Sequence, residues 1–468
     1  MRPVYMLAAT VLAAAVLAPV ASAAERMWIG FHDDPILRYD SDRQREMTLA
    51  RNANNSTVLR TLVTWADVAP TKPANAANPF DPAYKFDDLD EFVRNAQVRE
   101  MEVLITLWGT PGWANGDKKP NFLPTNVADF QNFARAVASR YSGRNAGYPF
   151  VRFYGIWNES NLGNFLSPQF NAKGQIVGPA AYAKLAAAGY AGIKAGSAKA
   201  LVAIGETSST GNDKKKSGTD KVSPGKFAEL VAKANRKLKF DAWAQHPYPF
   251  PVSQKPTQKV RWPNVTLSSL PQFETSLDKW FGRKNIPIWI TEYGHETKPG
   301  EPKGVTDAKQ AQYAPQAIAI AKQDPRVQLF VWFVMRDSSG SLWQSGLYRT
   351  SGAAKPAQRK FAAATKPLDA INGKITVKGG VKNPALTLYA RSFCVNNPVG
   401  ATVGVTSRAT LAGKLVAVSQ SAVKLGRDCT IAYRAKGLTV AKGQSYTVTA
   451  DLNTIVSKLV RTITVVGV

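Results

Sequence analysis

Between residues 27 and 333 the chain alternates short apolar runs with segments whose apolar residues recur at helical spacing. Eight apolar runs have the length and composition of strands, at 27–31, 58–63, 102–107, 151–157, 201–205, 240–244, 288–291 and 327–333. Amphipathic segments follow the strands, at 42–52, 87–99, 127–141, 180–195, 226–234, 267–281 and 307–323, and a short helix over 357–364 completes the eighth unit. Eight strand–helix units over about 330 residues predict an α/β fold, the (β/α)8 TIM barrel. An open doubly wound sheet would want a glycine-rich phosphate turn, which the sequence lacks.

Two of the predicted strands end on a glutamate. Residues 153–161 read Phe-Tyr-Gly-Ile-Trp-Asn-Glu-Ser-Asn, so that an apolar run stops at Asn158 and Glu159. Residues 288–294 have the same form and end on Glu292. The carboxyl ends of barrel strands meet at the active-site end, so both carboxylates are expected at one rim. The alternative is that each glutamate only caps a loop.

Paired carboxylates at a barrel rim suit the cleavage of a glycosidic bond. One acid protonates the leaving oxygen, and a second carboxylate meets the positive charge that develops at the anomeric carbon. Carboxyl groups about 5–5.5 Å apart give retention through a covalent intermediate, whereas about 6.5–9.5 Å leaves room for water and gives inversion. Sequence alone leaves the distance open.

The residues around these glutamates resemble the clan A glycoside hydrolases. Trp157-Asn158-Glu159 on the fourth strand and Thr291-Glu292-Tyr293-Gly294 on the seventh are similar to the clan's acid/base and nucleophile segments. Further similar segments occur in the expected order: Arg60 on strand two, 110–114 (Thr-Pro-Gly-Trp-Ala) after strand three, His246-Pro247-Tyr248 on strand six and Trp332 on strand eight. The segment after strand three is similar to the β-xylosidase and iduronidase family, and cellulase-like families share the general pattern. Ser160 stands where the clan commonly has proline.

The resemblance implies a retaining glycoside hydrolase that cleaves an equatorial bond, a β-D-glycoside or its α-L-arabino counterpart. Glu159 would be the general acid and base, and Glu292 the nucleophile. Substrate-binding or supporting roles would fall to Arg60, Trp108, Asn158, His246, Tyr248 and Trp332, with Trp332 as the platform under the reacting sugar.

Four of these residues also have a purely structural interpretation. Arg60 could form an ordinary ion pair at the rim, His246 could only shape a turn, and Trp108 and Trp332 could be core residues. Neither His32-Asp33-Asp34 nor His295-Glu296 is expected to bind a metal, and both are assigned to substrate contacts or rim hydrogen bonds. No cofactor is expected.

The first residues have the pattern of a signal peptide. Arg2 precedes an apolar run over 6–20, and Ala21-Ser22-Ala23 offers a small-residue cleavage site. Residues 1–23 are therefore predicted to be removed and the protein to be secreted, extracellular or associated with the cell wall. An uncleaved N-terminal anchor is the alternative. No other stretch approaches the roughly 20 apolar residues of a membrane span.

The composition changes after the barrel. Residues 369–468 contain no glutamate and three aspartates, so this region is strongly basic, and its apolar residues alternate as in strands. We expect a (β/α)8 catalytic barrel over 24–366 and a small C-terminal β-sandwich domain over 367–468. Cys394 and Cys429, the only cysteines, are predicted to form a disulfide, although two buried free thiols remain the alternative.

The formal net charge is +27, which favours polyanionic partners. For an exported monomer the expected partner is a carbohydrate, with an anionic cell-wall or matrix polysaccharide as the specific candidate. The sequence shows no zinc-finger spacing or RNA-binding signature, and specific nucleic-acid binding is not expected. Two alternatives to the enzyme stay open: a non-catalytic carbohydrate-binding or wall-associated barrel protein, and a surface protein that binds polyanions through its charge and in which the barrel has no catalytic role.

Overall fold

The computed structural model describes residues 27–216, 220–340, 343–365, 374–390, 393, 397, 400–426, 429–455 and 458–468. The predicted signal peptide, Cys394 and the predicted domain boundary at 366/367 lie outside these residues. Export, the disulfide and the boundary therefore stay predictions.

Eight parallel strands close into a barrel in chain order, with β8 returning to pair with β1. The strands are β1 (Trp28–His32), β2 (Val58–Thr64), β3 (Glu102–Trp108), β4 (Phe153–Ile156), β5 (Leu201–Thr207), β6 (Ala242–Gln245), β7 (Ile288–Tyr293) and β8 (Val327–Phe333). The predicted barrel is confirmed.

Helices follow the strands and cover the outside of the barrel. They are α1 (Arg43–Asn54), α2 (Trp65–Val68), α3 (Asp87–Val98), α4 (Gly112–Asn115), α5 (Val127–Arg140), α6 (Gly178–Gly196), α7 (Pro224–Ala234), α8 (Leu270–Phe281), α9 (Asp307–Gln323) and α10 (Pro356–Thr365). Side-chain caps fix two helix starts: Asn126 accepts from the Ala128 amide and Thr306 from the Lys309 amide.

Alternation along the strands divides the apolar side chains between two layers. Leu104, Trp289 and Val331 fill the barrel interior, while Ile105 and Phe330 point outward against the helices. Because both faces are covered, the strands read as nearly continuous apolar runs. The polar residues at the strand ends are the exceptions, and they form the site described below.

The C-terminal region consists of strands in two sheets. The strands are β9 (Lys374–Val377), β10 (Ala385–Tyr389), β11 (Thr402–Leu411), β12 (Lys414–Lys424), β13 (Thr430–Arg434), β14 (Ser445–Asn453) and β15 (Lys458–Gly467). β10 pairs with β13, and the other five form a sheet in the order β12-β11-β14-β15-β9, in which only β15 and β9 are parallel. Leu388 of the small sheet and Val448 of the large one share one apolar core, as in a small β-sandwich.

The C-terminal region contacts the end of the barrel at which the strands begin. Its core is continuous with Trp28 and Phe153, the first residues of β1 and β4. Arg152, just before β4, donates to the Asn397 carbonyl at 3.0 Å. The opposite end, where the strands finish, carries the two glutamates. Within the described residues, no helix combines the length and the apolar character needed to cross a membrane.

Candidate active site

The backbone after β4 turns sharply to present Asn158 and Glu159. Trp157 and Glu159 have φ of +72° and +37°, in the left-handed region that costs a residue with a side chain about 1–3 kcal/mol. The Trp157 indole is buried against Phe130 of α5 and donates to the Phe165 carbonyl at 2.7 Å. This outward anchor allows the next two side chains to point into the barrel mouth.

A break in strand pairing presents Glu292. On β7, Ile290 pairs with Phe330 and Tyr293 pairs with Trp332, so two residues of β7 stand opposite one of β8. Such a bulge turns a side chain away from the simple alternation of a strand. Thr291 and Glu292 both reach the barrel interior as a result, while Tyr293 packs outside.

The two glutamates meet at His246. Its Nδ1 lies 3.2 Å from Glu159 Oε1 and 3.4 Å from Glu292 Oε2. One carboxylate oxygen from each glutamate and an imidazole nitrogen all lie within 4.8 Å of one another. This upper limit on the distance between one oxygen of each glutamate is close to the about 5–5.5 Å that accompanies a covalent intermediate and below the about 6.5–9.5 Å of the arrangement with an intervening water.

Arg60 lies beneath the pair and is fully buried. Its Nη1 donates to Glu292 Oε1 at 2.5 Å, and its Nη2 donates to Asn158 Oδ1 at 2.7 Å. One guanidinium therefore fixes both the nucleophile candidate and the residue beside Glu159. Charge-assisted bonds of this kind are shorter and stronger than neutral ones.

Glu292 is surrounded by groups that favour its charged form. Burial alone would raise its pKa, but His246 and Arg60 outweigh burial and hold the pKa of Glu292 well below its ordinary range. The Tyr248 hydroxyl also donates to Glu292 Oε2 at 3.0 Å. Glu292 is thus ionised, as a nucleophile must be.

The environment of His246 makes it a donor. Burial on its own lowers the pKa of the imidazole, but the three carboxylates around the ring raise the pKa of His246 to about 9. Besides the glutamate pair, the third is Glu206 at the end of β5, whose Oε2 lies 3.1 Å from His246 Nε2.

Ser160 ties the turn after Glu159 to β5. The Ser160 hydroxyl donates to the Gly205 carbonyl at 2.9 Å, and the Gln169 side-chain amide donates to the Ser160 carbonyl at 2.7 Å. A proline at this position would have no hydroxyl for the first of these bonds. The departure from the clan's pattern is therefore a structural link.

The two predicted tryptophans lie in different places. Trp108, at the end of β3, is partly exposed at the rim beside Trp157, with ring centroids 6.3 Å apart. Trp332 is fully buried outside the barrel, packed against Phe361 of α10, and donates to the Ser345 carbonyl at 2.9 Å. The structure does not bring Trp332 to the glutamates, because Leu329 and Val331 take the inward positions of β8.

Phe333 and Trp343 lie on the side of the site where the platform was expected. Phe333 follows Trp332, has the inward alternation, and packs against His32 at 5.1 Å and Trp343 at 5.9 Å between ring centroids. Trp343 also contacts Tyr248 at 4.9 Å. Side chains on a strand alternate between its two faces, so the sequence could have predicted that Phe333 faces inward like Val331. No sequence pattern indicates Trp343, which lies in a loop.

His32 extends the hydrogen-bond network on the β1 side. Arg60 Nη1 lies 2.7 Å from His32 Nδ1, so this nitrogen accepts, and His32 Nε2 lies 3.3 Å from Asp34 Oδ2. The expected rim hydrogen bonds of the His32-Asp33-Asp34 segment are present. Asp33 accepts from the amides of Met335 and Arg336 and so joins the loops after β1 and β8.

Comparison with known proteins identifies the family. The sequence profile described as Cellulase (glycosyl hydrolase family 5) matches residues 24–338, which is more than half of the chain. The chain belongs to glycosyl hydrolase family 5. No curated protein sequence matches it.

Solved structures of other families share the fold of this family 5 hydrolase. A family 39 glycoside hydrolase from the gut symbiont Bacteroides cellulosilyticus WH2 is 16% identical with a TM-score of 0.54, over 88% of this chain and 82% of that one. The native xylanase 10B from Thermotoga maritima is also 16% identical, with a TM-score of 0.50, over 74% of this chain and 96% of that one. At these identities the likeness concerns the fold alone.

Proposed function

We propose that this glycoside hydrolase cleaves an equatorial O-glycosidic bond of a poly- or oligosaccharide with retention, by double displacement. Glu159 is the acid and base, and Glu292 is the nucleophile. The observation that carries the proposal is the pair itself: two carboxylates within 4.8 Å of each other, of which Glu292 is held ionised by Arg60 and Tyr248.

The reaction has two steps, and both glutamates take part in each. Ionised Glu292 attacks the anomeric carbon while Glu159 gives its proton to the departing oxygen, which breaks the glycosidic bond and forms a glycosyl ester. Glu159, now a carboxylate, takes a proton from water as that water attacks the same carbon and releases Glu292. Two inversions leave the anomeric configuration unchanged.

The test is a hydrolysis screen of aryl glycosides with the mature protein and matched variants. Glu292→Gln is expected to abolish turnover. Glu159→Ala is expected to lose most turnover and to regain it with added azide, which attacks the glycosyl ester without needing a base and yields a glycosyl azide. Glu229→Gln, on the surface of α7, is the control and should behave as the wild type. Unchanged turnover in Glu159→Ala would refute the assignment and favour the non-catalytic alternative.

We further propose that the natural substrate is anionic. Loops after β3, β4 and β5 lie side by side around Glu159: Asn121 Nδ2 donates to the Gly163 carbonyl at 2.8 Å, and the Gly163 amide donates to the Asp220 carbonyl at 2.7 Å. These loops carry exposed lysines, Lys118, Lys119, Lys173, Lys214, Lys215, Lys216 and Lys221. Because Glu159 protonates the leaving group, these lysines flank the leaving-group side, where they would attract carboxylates or phosphates along a glycan.

Replacing Lys214, Lys215 and Lys216 together by glutamate tests this idea. Activity on anionic polysaccharide should fall severalfold and become less sensitive to salt, while hydrolysis of a neutral aryl glycoside stays unchanged. The matched control reverses Lys378 and Lys382 in the C-terminal region. Equal loss on neutral and anionic substrates would show that the lysines do not select for charge.

Export completes the proposal. A signal peptide over residues 1–23 predicts a mature extracellular or wall-associated protein that begins near Ala24. N-terminal sequencing of protein recovered from outside the producing cell would show Ala24 first, whereas an intact Met1 in a membrane fraction would support the uncleaved anchor.

A further inference from the structure

The end of β5 is built to turn one buried carboxylate into the barrel. Gly205 pairs with Ala244 and Thr207 with Gln245, so Glu206 is an extra residue between successive pairs. Simple alternation from Ile204, which faces the helices, would direct Glu206 outward as well. The bulge and left-handed φ values of +97° at Gly205 and +47° at Glu206 direct it inward instead.

Neighbouring strands leave space for this carboxylate. A Cβ added at Gly155 of β4 would lie 2.2 Å from Glu206 Oε1 and 2.9 Å from Thr106 Oγ1. Any side chain at Gly155 would therefore displace Glu206. The Ser160 hydroxyl, bonded to the Gly205 carbonyl, holds the same bulge against the turn that carries Glu159.

Glu206 is fully buried among donors. Its Oε2 accepts from Thr291 Oγ1 at 2.5 Å and lies 3.1 Å from His246 Nε2 and 3.5 Å from Arg60 Nη2. Its Oε1 lies 3.4 Å from Thr106 Oγ1. Burial alone would raise the pKa of Glu206, but Arg60 and His246 lower it further than burial raises it. The group is an anion at the base of the site.

His246 connects this anion to the glutamate pair. Its Nε2 faces Glu206, and its Nδ1 faces Glu159 and Glu292 at 3.2 and 3.4 Å. All three neighbours are hydrogen-bond acceptors when ionised. An imidazole satisfies them only when both nitrogens carry protons, because a bare Nδ1 would point a lone pair at the Glu292 carboxylate, and also at Glu159 once Glu159 has given up its proton.

We propose that Glu206 is a positioning residue of the catalytic site, which acts through His246 to keep an N–H donor directed at Glu159 and Glu292. The inference rests on the proposed roles of that pair. In both steps of the reaction at least one of the pair is a carboxylate, and the donor keeps it in place as charge moves between them. Glu206 itself touches no reacting atom.

The first test measures the charge of His246 and needs no substrate. The chain has three histidines, so selective labelling with 13C and 15N gives three imidazole spin systems, and the His246→Asn spectrum assigns the relevant one. In the wild type the His246 ring should hold two protons at pH 7 and titrate near pH 9. Glu206→Gln, which keeps the size and removes the charge, should shift this titration to lower pH.

Groups on several elements face the ring and enter this titration. They are Glu159, Glu206 and Glu292, the Tyr248 ring 6.4 Å away between centroids, and Arg60 beyond the carboxylates. Among the described residues, Glu206 is the one titratable group bonded to Nε2. A shift of the His246 titration in Glu206→Gln therefore measures what the contact at Nε2 contributes.

The second test is kinetic. Glu206→Gln should lower kcat about 10- to 100-fold, the order seen when an outer carboxylate that orients a histidine is removed, with KM changed less than about threefold. The alkaline limb of its pH–activity profile should also move to lower pH. Glu102→Gln is the control: Glu102 is equally buried and bonded to Arg152 at 2.8 Å, but at the other end of the barrel. It should leave kcat and the pH profile unchanged.

Two results would overturn the proposal. One is a wild-type His246 ring with a single proton at pH 7, which can be observed even if Glu206→Gln does not fold. The other is a folded Glu206→Gln protein with wild-type His246 titration and kcat within about twofold of the wild type. If instead Glu159→Ala keeps full activity, the proposed mechanism fails while the titration still decides the charge of His246.

Discussion

Removing the Tyr248 hydroxyl tests how Glu292 is kept charged. In Tyr248→Phe, Glu292 Oε2 loses a donor at 3.0 Å inside a buried site. A hydrogen bond to a charged group contributes about 1.5–3 kcal/mol. If the full energy of that bond is realised only in the transition state, where Tyr248 holds Glu292 in line with the anomeric carbon, kcat/KM falls about 10- to 150-fold. Because the lost bond favoured the ionised form, the pKa of Glu292 rises and the acidic limb of the pH profile moves to higher pH.

The assay is kcat/KM for an aryl glycoside as a function of pH, with Tyr293→Phe as the control. The Tyr293 ring stacks on Tyr248 at 6.3 Å between centroids, and its buried hydroxyl has no hydrogen-bond partner among the described residues. The same chemical change there should leave the pH profile in place. A Tyr248→Phe enzyme with wild-type kcat/KM and an unmoved acidic limb would refute the electrostatic account of Glu292.

Three further changes have defined outcomes. Ser160→Ala removes the bond to the Gly205 carbonyl and should lower the free energy of unfolding by about 1 kcal/mol, measured by urea denaturation, together with a fall in kcat; an unchanged kcat would show that this link does not position the site. Burial and neighbouring acids raise the pKa of Glu274 to about 9, so the free energy of unfolding of the wild type falls as pH rises from the unfolded pKa near 4.5 toward 9. In urea titrations across that window, the stability of Glu274→Gln relative to the wild type should therefore increase with pH. A difference in stability that does not change with pH contradicts this. If Cys394 and Cys429 form the predicted disulfide, intact mass will rise by two alkyl groups only after reduction, and alkylation of the unreduced, unfolded chain would show free thiols.

The barrel could be predicted because its signals are local. Each strand is buried on both faces and reads as an apolar run, and each helix has its own periodicity and, at Asn126 and Thr306, its own cap. Glu159 and Glu292 could be located because polar residues at the ends of buried strands are conspicuous in a sequence.

The features that complete the site depend on breaks in those local rules. Nothing in the composition of β5 marks a bulge at Glu206, and the space that Gly155 leaves for it comes from another strand. Trp332 does not lie under the site, for a simpler reason: the side chains of β8 alternate regularly, which places Trp332 outward and Phe333 inward. The distance between the two glutamates depends on the closure of all eight strands and was outside the reach of any motif.

The stereochemistry of the first-formed product tests the central claim most directly. Proton NMR of the anomeric region, recorded within the first minutes after enzyme is added to a cleaved equatorial glycoside, reports the product before mutarotation. The carboxylate separation predicts that the equatorial anomer appears first and the axial anomer only later. An axial anomer as the first product would mean direct attack by water and would contradict the role of Glu292 as nucleophile.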